Sequence, residues 1–152
     1  MRRMFFALLA SCFALCASTS ATQASWVETI TYDVGGRIGT YVNRYHGYRT
    51  YGARVVVDGL CLSACTLVLG ILPRGQVCAT PRAVFGFHQA WMPGIASRTG
   101  QRTQKPSAIG TAALMEHYGP ALRRWIGELP SPSQMKFLRG RAMYQFVEPC
   151  VS

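Results

Sequence analysis

Residues 53–91 read ARVVVDGLCLSACTLVLGILPRGQVCATPRAVFGFHQAW. Ala53 to Val57 is a continuous, mostly β-branched run that ends at Asp58-Gly59. Such a run bounded by turn residues predicts a strand buried on both faces, as in a parallel sheet. Ala64 to Leu69 is apolar on every side, which predicts a buried helix ending at Gly70. Gln76 to Ala79 and Ala83 to Phe87 predict two short strands separated by Thr80-Pro81. The last of them runs straight into His88-Gln89.

Working outward, Trp26 to Tyr32 alternates and predicts a strand, broken by Gly35-Gly36. Ile38, Tyr41, Val42 and Tyr45 recur at helical spacing as far as Gly47. Met92 to Ser107 is rich in Gly, Pro, Ser, Thr and Arg and predicts an exposed loop. Ala108 to Tyr118 and Pro120 to Leu129 predict helices, with Pro120 suited to a first helical turn. Pro132-Ser133 predicts the start of a short helix towards Leu138, and Arg141 to Phe146 another. Strand, helix, strand, helix, strand, then helices is the signature of one α/β domain with a mostly parallel sheet and flanking helices. Gly35-Gly36, Ser63 and His88 all follow predicted strand ends. In such sheets that rim is where ligands sit.

The N-terminus MRRMFFALLASCFALCASTSATQAS joins a cationic start, an apolar run from Phe5 to Ala17 and small residues Thr22 and Ala24. This is the layout of a signal peptide over residues 1–24, with cleavage before Ser25 and a domain over 25–152. The apolar run of about thirteen residues is shorter than the roughly 20 that a spanning helix needs, and no later segment is apolar enough to span. Removing Arg2 and Arg3 leaves 14 basic against 6 acidic residues, a net charge of +8. The basic residues are scattered, with no run longer than Arg123-Arg124, no aromatic-interleaved RNA motif and no zinc-finger spacing. The charge therefore reads as solubility rather than as a nucleic-acid footprint. Cys61, Cys65, Cys78 and Cys150 remain in the exported domain, an even count that predicts two disulfides. Three pairings are open. No C-x-x-C knuckle is present, so a zinc site is not expected. The compartment implied is periplasmic or extracellular.

Ser63 lies in the turn between a buried strand and an apolar helix. A serine becomes a nucleophile only beside a base, and a helix start offers unpaired backbone N–H groups to an oxyanion. The plainer role for such a serine is helix N-cap. His88 ends an apolar strand 25 residues later. His46 and His117 fall on predicted helices beside tyrosines and read as surface or core-edge residues.

From Val34 to Trp91 the chain resembles the ClpP-type serine proteases within the ClpP/crotonase-like superfamily. The resemblance rests on the Gly35-Gly36 turn 28 and 27 residues before Ser63, the serine opening an apolar helix, and QVCATPRAVFGFHQA ending in His-Gln. It implies a minimal, secreted ClpP/crotonase-like domain. Ser63 would be nucleophile and His88 base, with backbone N–H groups near Gly36 and at Ala64 holding the oxyanion. The substrate would be a peptide or ester, and no cofactor or metal is implied. In the resembled fold the chain returns near the strand that holds Cys78, which pairs Cys78 with Cys150 and leaves Cys61 to pair with Cys65 around Ser63.

The sequence departs from that family in two ways. The third catalytic residue there is usually an aspartate about 50 residues past the histidine, where this chain reads SQMKFLRGR without an acid. Glu116, Glu128 and Glu148 are the only acids after His88. The expectation is therefore a serine hydrolase, peptidase or esterase, working through a Ser–His dyad or an atypical triad. The alternative is an inactive scaffold that serves as an envelope binding protein. The long helical arm used for ring assembly is also missing, so the resemblance leaves the oligomeric state open.

Overall fold

The predicted central strand is longer than its β-branched run. In the computed structural model, which describes residues 26–95 and 102–151, β2 covers Arg54–Leu62 and passes straight through Asp58-Gly59. Along one edge it pairs in parallel with β1 (Val27–Asp33), from Val27 opposite Arg54 to Asp33 opposite Cys61. The other edge is shared. Val55–Val57 pairs with β3 (Val77–Ala79), and Leu60–Leu62 pairs with β4 (Val84–Phe87), both in parallel. A strand that changes partner halfway curls the sheet, and Gly59 sits at the changeover.

Gly59 is needed there because the register of β1 shifts between Ile30 and Tyr32, and the Thr31 carbonyl presses onto Gly59 where a Cβ would stand. Gly59→Ala should cost about 2–3 kcal/mol of unfolding free energy, as overpacking typically does, read from urea unfolding. Gly75→Ala, where a Cβ meets nothing within 4 Å, should stay within about 0.5 kcal/mol.

Two further strands complete the main sheet. β7 (Lys136–Arg139) runs antiparallel to β4, and β8 (Glu148–Pro149) runs parallel to β3. The expected helix from Pro132 to Leu138 is therefore corrected to a turn and a strand. Leu138 is buried opposite Phe85, while Phe137 and Arg139 face solvent: a period of two, not of 3.6. The expected helix over Arg141–Phe146 is a 3-10 segment, Gly140–Gln145.

The expected loop over 92–107 is corrected over 92–95 and 102–106, while 96–101 lie outside the described residues. β5 (Trp91–Ile95) and β6 (Arg102–Pro106) form an antiparallel ribbon, from Trp91 opposite Pro106 to Ile95 opposite Arg102. A two-stranded ribbon has only edge strands, where proline is tolerated, so Pro93 and Pro106 do not prevent it.

α1 (Ile38–Thr50) is three residues longer than expected and buries Tyr41 and Tyr45 in the core. α3 (Ala108–Glu116) and α4 (Pro120–Ile126) are helices as read, though shorter, and Pro120 takes the first turn of α4. The element after β2 is not one helix. A 3-10 segment, Ser63–Leu67, leads into a single turn, α2 (Val68–Ile71). Gly70 does not end it. Its role is steric: the His117 carbonyl, at the end of α3, lies where a Cβ would stand.

The molecule is thus a mixed α/β domain with a curled, mostly parallel sheet, centred on Val55, Val57, Leu67, Phe85 and Phe87. Among the described residues no helix is long and apolar enough to cross a membrane. The expected signal peptide, 1–24, lies outside the described residues.

Candidate active site

β2 ends at Leu62 in extended conformation, and Ser63 then turns into the left-handed region at φ 54°. Among the described residues it is the only non-glycine with positive φ. A side chain held there costs on the order of 1–3 kcal/mol and persists only where its surroundings over-determine it. The surroundings here do so in four ways. Cys61 and Cys65 are bonded to each other across the turn, with Cα atoms 5.3 Å apart. The Thr66 hydroxyl donates to the Ser63 carbonyl at 2.6 Å, which leaves the buried Tyr118 hydroxyl, also at 2.6 Å, to donate to Thr66 Oγ1. Burial raises the pKa of Tyr118, which keeps that donor protonated. Tyr45 donates to the Cys65 carbonyl at 3.0 Å. The fourth constraint is Gly35, at φ 81°: a Cβ there would stand 2.7 Å from Ser63 Cβ and 2.8 Å from Ala64 N.

Ser63 opens the 3-10 segment that follows Leu62, and no side-chain hydrogen bond caps that segment. The side chain of Ser63 is half-buried at the rim.

His88 leaves the end of β4, the neighbouring strand. Leu62 stands opposite Gly86, so Ser63 lies one residue beyond the last pair and His88 two. Parallel neighbours run about 4.8 Å apart, so both residues follow the carboxyl ends of adjacent strands; among the described residues the hydrogen bond of the His88 ring goes to Gln89, not to Ser63. His88 is 4% exposed. Its Nδ1 lies 2.7 Å from the Gln89 carbonyl oxygen. A carbonyl can only accept, so Nδ1 is the donor here, and in the neutral ring Nε2 is then the acceptor. Gln89 is itself fixed: its N–H donates to the Pro130 carbonyl at 2.9 Å and its Nε2 to the Leu129 carbonyl at 3.1 Å.

Among the described residues no carboxylate pairs with His88. Glu116 ends α3, Glu148 lies in β8 opposite Cys78, and Glu128 is exposed on the wall of a groove of about 760 Å³. That groove also takes in Gln89, Leu129, Pro130, Met135 and Lys136. Lys136 is committed elsewhere, with Nζ donating to the Trp125 and Ile126 carbonyls at the end of α4, 2.9 Å each. A cation suits the carbonyls of a helix end.

The second disulfide joins Cys78 in β3 to Cys150, just past β8. Both pairings follow the expectation drawn from the resemblance, and they fit an oxidising compartment. Among the described residues no group of three or more His, Cys, Asp or Glu is gathered to hold a metal ion.

Sequence reasoning missed Asp33, Tyr41, Thr66, Tyr118 and the Gln89 carbonyl. One signal was available. Asp33 stands two residues before Gly35, the spacing of an Asx turn, and its Oδ1 accepts the Gly35 N–H at 2.8 Å.

No protein-family model matches this chain, and no curated protein matches it. Solved structures do. A peptidase from Plasmodium falciparum aligns with a TM-score of 0.52 at 6% identity, over 84% of this chain and 80% of its own. A crystal structure of an enzyme aligns with a TM-score of 0.55 at 9% identity, over 86% and 81%. At identities this low the likeness shows a shared fold: a single mixed α/β domain of the kind that a peptidase also adopts.

Proposed function

We propose that this chain is a secreted serine hydrolase of ClpP/crotonase-like fold, a peptidase or esterase. Residues 25–152 form the working domain after removal of 1–24 in the periplasm or outside the cell. The observation that carries the reading is the backbone of Ser63: a serine held in the left-handed region at the end of a strand whose parallel neighbour leads into His88. Strain of this kind clusters at reactive sites. The shared fold of a peptidase supports the same reading.

In the proposed reaction, Ser63 Oγ attacks the acyl carbonyl carbon and His88 Nε2 takes the hydroxyl proton. The carbonyl π electrons move onto oxygen, and the Gly36 and Ala64 N–H groups hold the oxyanion. Collapse breaks the bond to the amine or alcohol, which leaves with the proton from His88. Water then attacks the acyl-enzyme, His88 again takes a proton, and the acid is released as Ser63 regains its own.

The test is covalent labelling. A fluorophosphonate probe should modify the mature protein at Ser63 alone by peptide mapping, and Ser63→Ala should abolish the adduct. Folded protein that carries no adduct, or carries the same adduct after Ser63→Ala, would overturn the enzyme and leave a binding scaffold.

A further inference from the structure

The turn that faces Ser63 is held by a carboxylate that the proposed reaction does not use. Asp33 is the last residue of β1 and stands opposite Cys61, two residues before Ser63. Its Oδ1 accepts both the Gly35 N–H at 2.8 Å and the Tyr41 hydroxyl at 2.5 Å, and its Oδ2 pairs with Arg44 at 3.5 Å. Gly35 is the residue packed against Ser63 Cβ and Ala64 N, so a shift of this turn changes the distance between the two edges of the rim. Because the Gly35 N–H is taken by Asp33, the next donor along the turn is the Gly36 N–H. It finds no acceptor among the described residues.

We propose that Asp33 is the positioning residue of the oxyanion pocket: it anchors the Gly35–Gly36 turn so that the Gly36 and Ala64 N–H groups converge beside Ser63. The inference rests on the reading of Ser63 as nucleophile. A bare carboxylate this near a developing oxyanion would oppose it. Here the charge is offset by Arg44 and by the Tyr41 O–H, and the Arg44 guanidinium also stacks 4.6 Å over the Tyr41 ring. Burial, then the bond to Asp33, pushes the Tyr41 pKa up to about 12, so this donor keeps its proton through neutral pH. The turn is thus fixed before substrate arrives, which is the condition for an oxyanion pocket to act without reorganising.

The experiment is the concentration dependence of fluorophosphonate labelling, which separates the maximal rate from the half-saturating concentration. A displaced oxyanion donor acts on the maximal rate. Asp33→Ala should lower it by about 30- to 100-fold with half-saturation within about twofold, in line with the loss or displacement of one donor. Asp33→Asn keeps the acceptor for the Gly35 N–H and should stay within about threefold of wild type. Tyr41→Phe keeps the ring beside Gly36 and removes one support, for a loss of about three- to tenfold.

An Asp33→Ala rate near that of wild type overturns the proposal, as does an Asp33→Asn rate as low as that of Asp33→Ala. If Asp33→Ala does not fold, retention in Asp33→Asn together with loss in Tyr41→Phe supports it, and an unchanged Tyr41→Phe overturns it. Wild-type protein that fails to label at Ser63 removes the nucleophile itself. That outcome is distinct from normal wild-type labelling with indifferent Asp33 variants, which leaves the hydrolase and removes only the role of Asp33.

Discussion

His88→Ala should slow fluorophosphonate labelling of Ser63 by about 10³-fold, within the 10²–10⁴ that a positioned general base supplies. The size of the effect follows from how the ring is held. A serine protease triad uses a buried carboxylate to fix the tautomer, and replacing that acid by an amide costs about 10⁴ in the well-measured template because the tautomer becomes wrong. In this protein the Gln89 carbonyl lies 2.7 Å from Nδ1 and, in the neutral ring, favours the tautomer that the proposed base needs, without an acid. In the proposed reaction it would lack the negative charge that steadies the imidazolium once the proton has moved. The wild-type protein should therefore label more slowly than a full triad and yet depend strongly on His88. Glu116→Gln and Glu148→Gln should label within about twofold of wild type, since neither side chain pairs with His88 among the described residues. A His88→Ala rate within about tenfold of wild type would remove the base. A Glu116→Gln rate as low as that of His88→Ala would replace the carbonyl account with a carboxylate that reaches the ring in solution.

The double variant Cys78→Ala/Cys150→Ala should lose about 4 kcal/mol of unfolding free energy. The bridge spans a sequence separation of 72 residues, and the chain-entropy model assigns about that much to a loop of this length. Against a typical total of roughly 5–15 kcal/mol, the loss brings the domain close to its stability threshold. The strand it secures is itself short. β8 is only Glu148–Pro149, both residues are exposed, and beyond its pairing with β3 the backbone adds the Cys150 N–H to the Ala79 carbonyl at 3.1 Å. Urea unfolding under non-reducing conditions, with Cys61–Cys65 intact, gives the number. A change below about 1.5 kcal/mol would mean that the C-terminal strand holds its place without the cross-link. The Cys61–Cys65 bridge closes a loop of only a few residues and is worth about 2 kcal/mol in the same model. Its larger role is local, in keeping Ser63 at positive φ.

Local pattern was sufficient where one residue period dominated. The β-branched run at Val55 to Val57 announced a buried strand, and the spacing of Ile38, Tyr41, Val42 and Tyr45 announced α1, because burial of one stripe or of both faces leaves its period in the composition. Even cysteine count announced cross-links in the same direct way. The order of the strand ends placed Gly35-Gly36, Ser63 and His88 on one rim, since the carboxyl ends of parallel strands share an edge.

Pattern failed where the partner, not the period, decided. Trp91–Ile95 and Arg102–Pro106 became a ribbon because these two proline-bearing segments pair with each other. Lys136–Arg139 became a strand because the free edge of β4 offered it a ladder. β8 exists as a parallel edge of β3 beside the cross-link to Cys78. The same holds for the candidate site. The sequence by itself determined which residues could act: a serine, a histidine 25 residues on, and a pair of glycines upstream. Only the tertiary structure decided their states. Ser63 sits at φ 54° because Gly35, the Cys61–Cys65 bridge and the Tyr118–Thr66 pair leave it no other place. His88 has its tautomer from a carbonyl one residue away, held by Leu129 and Pro130 about 40 residues along the chain. Backbone strain and proton position depend on atoms brought together by folding, and a linear string of side chains carries no distance between them.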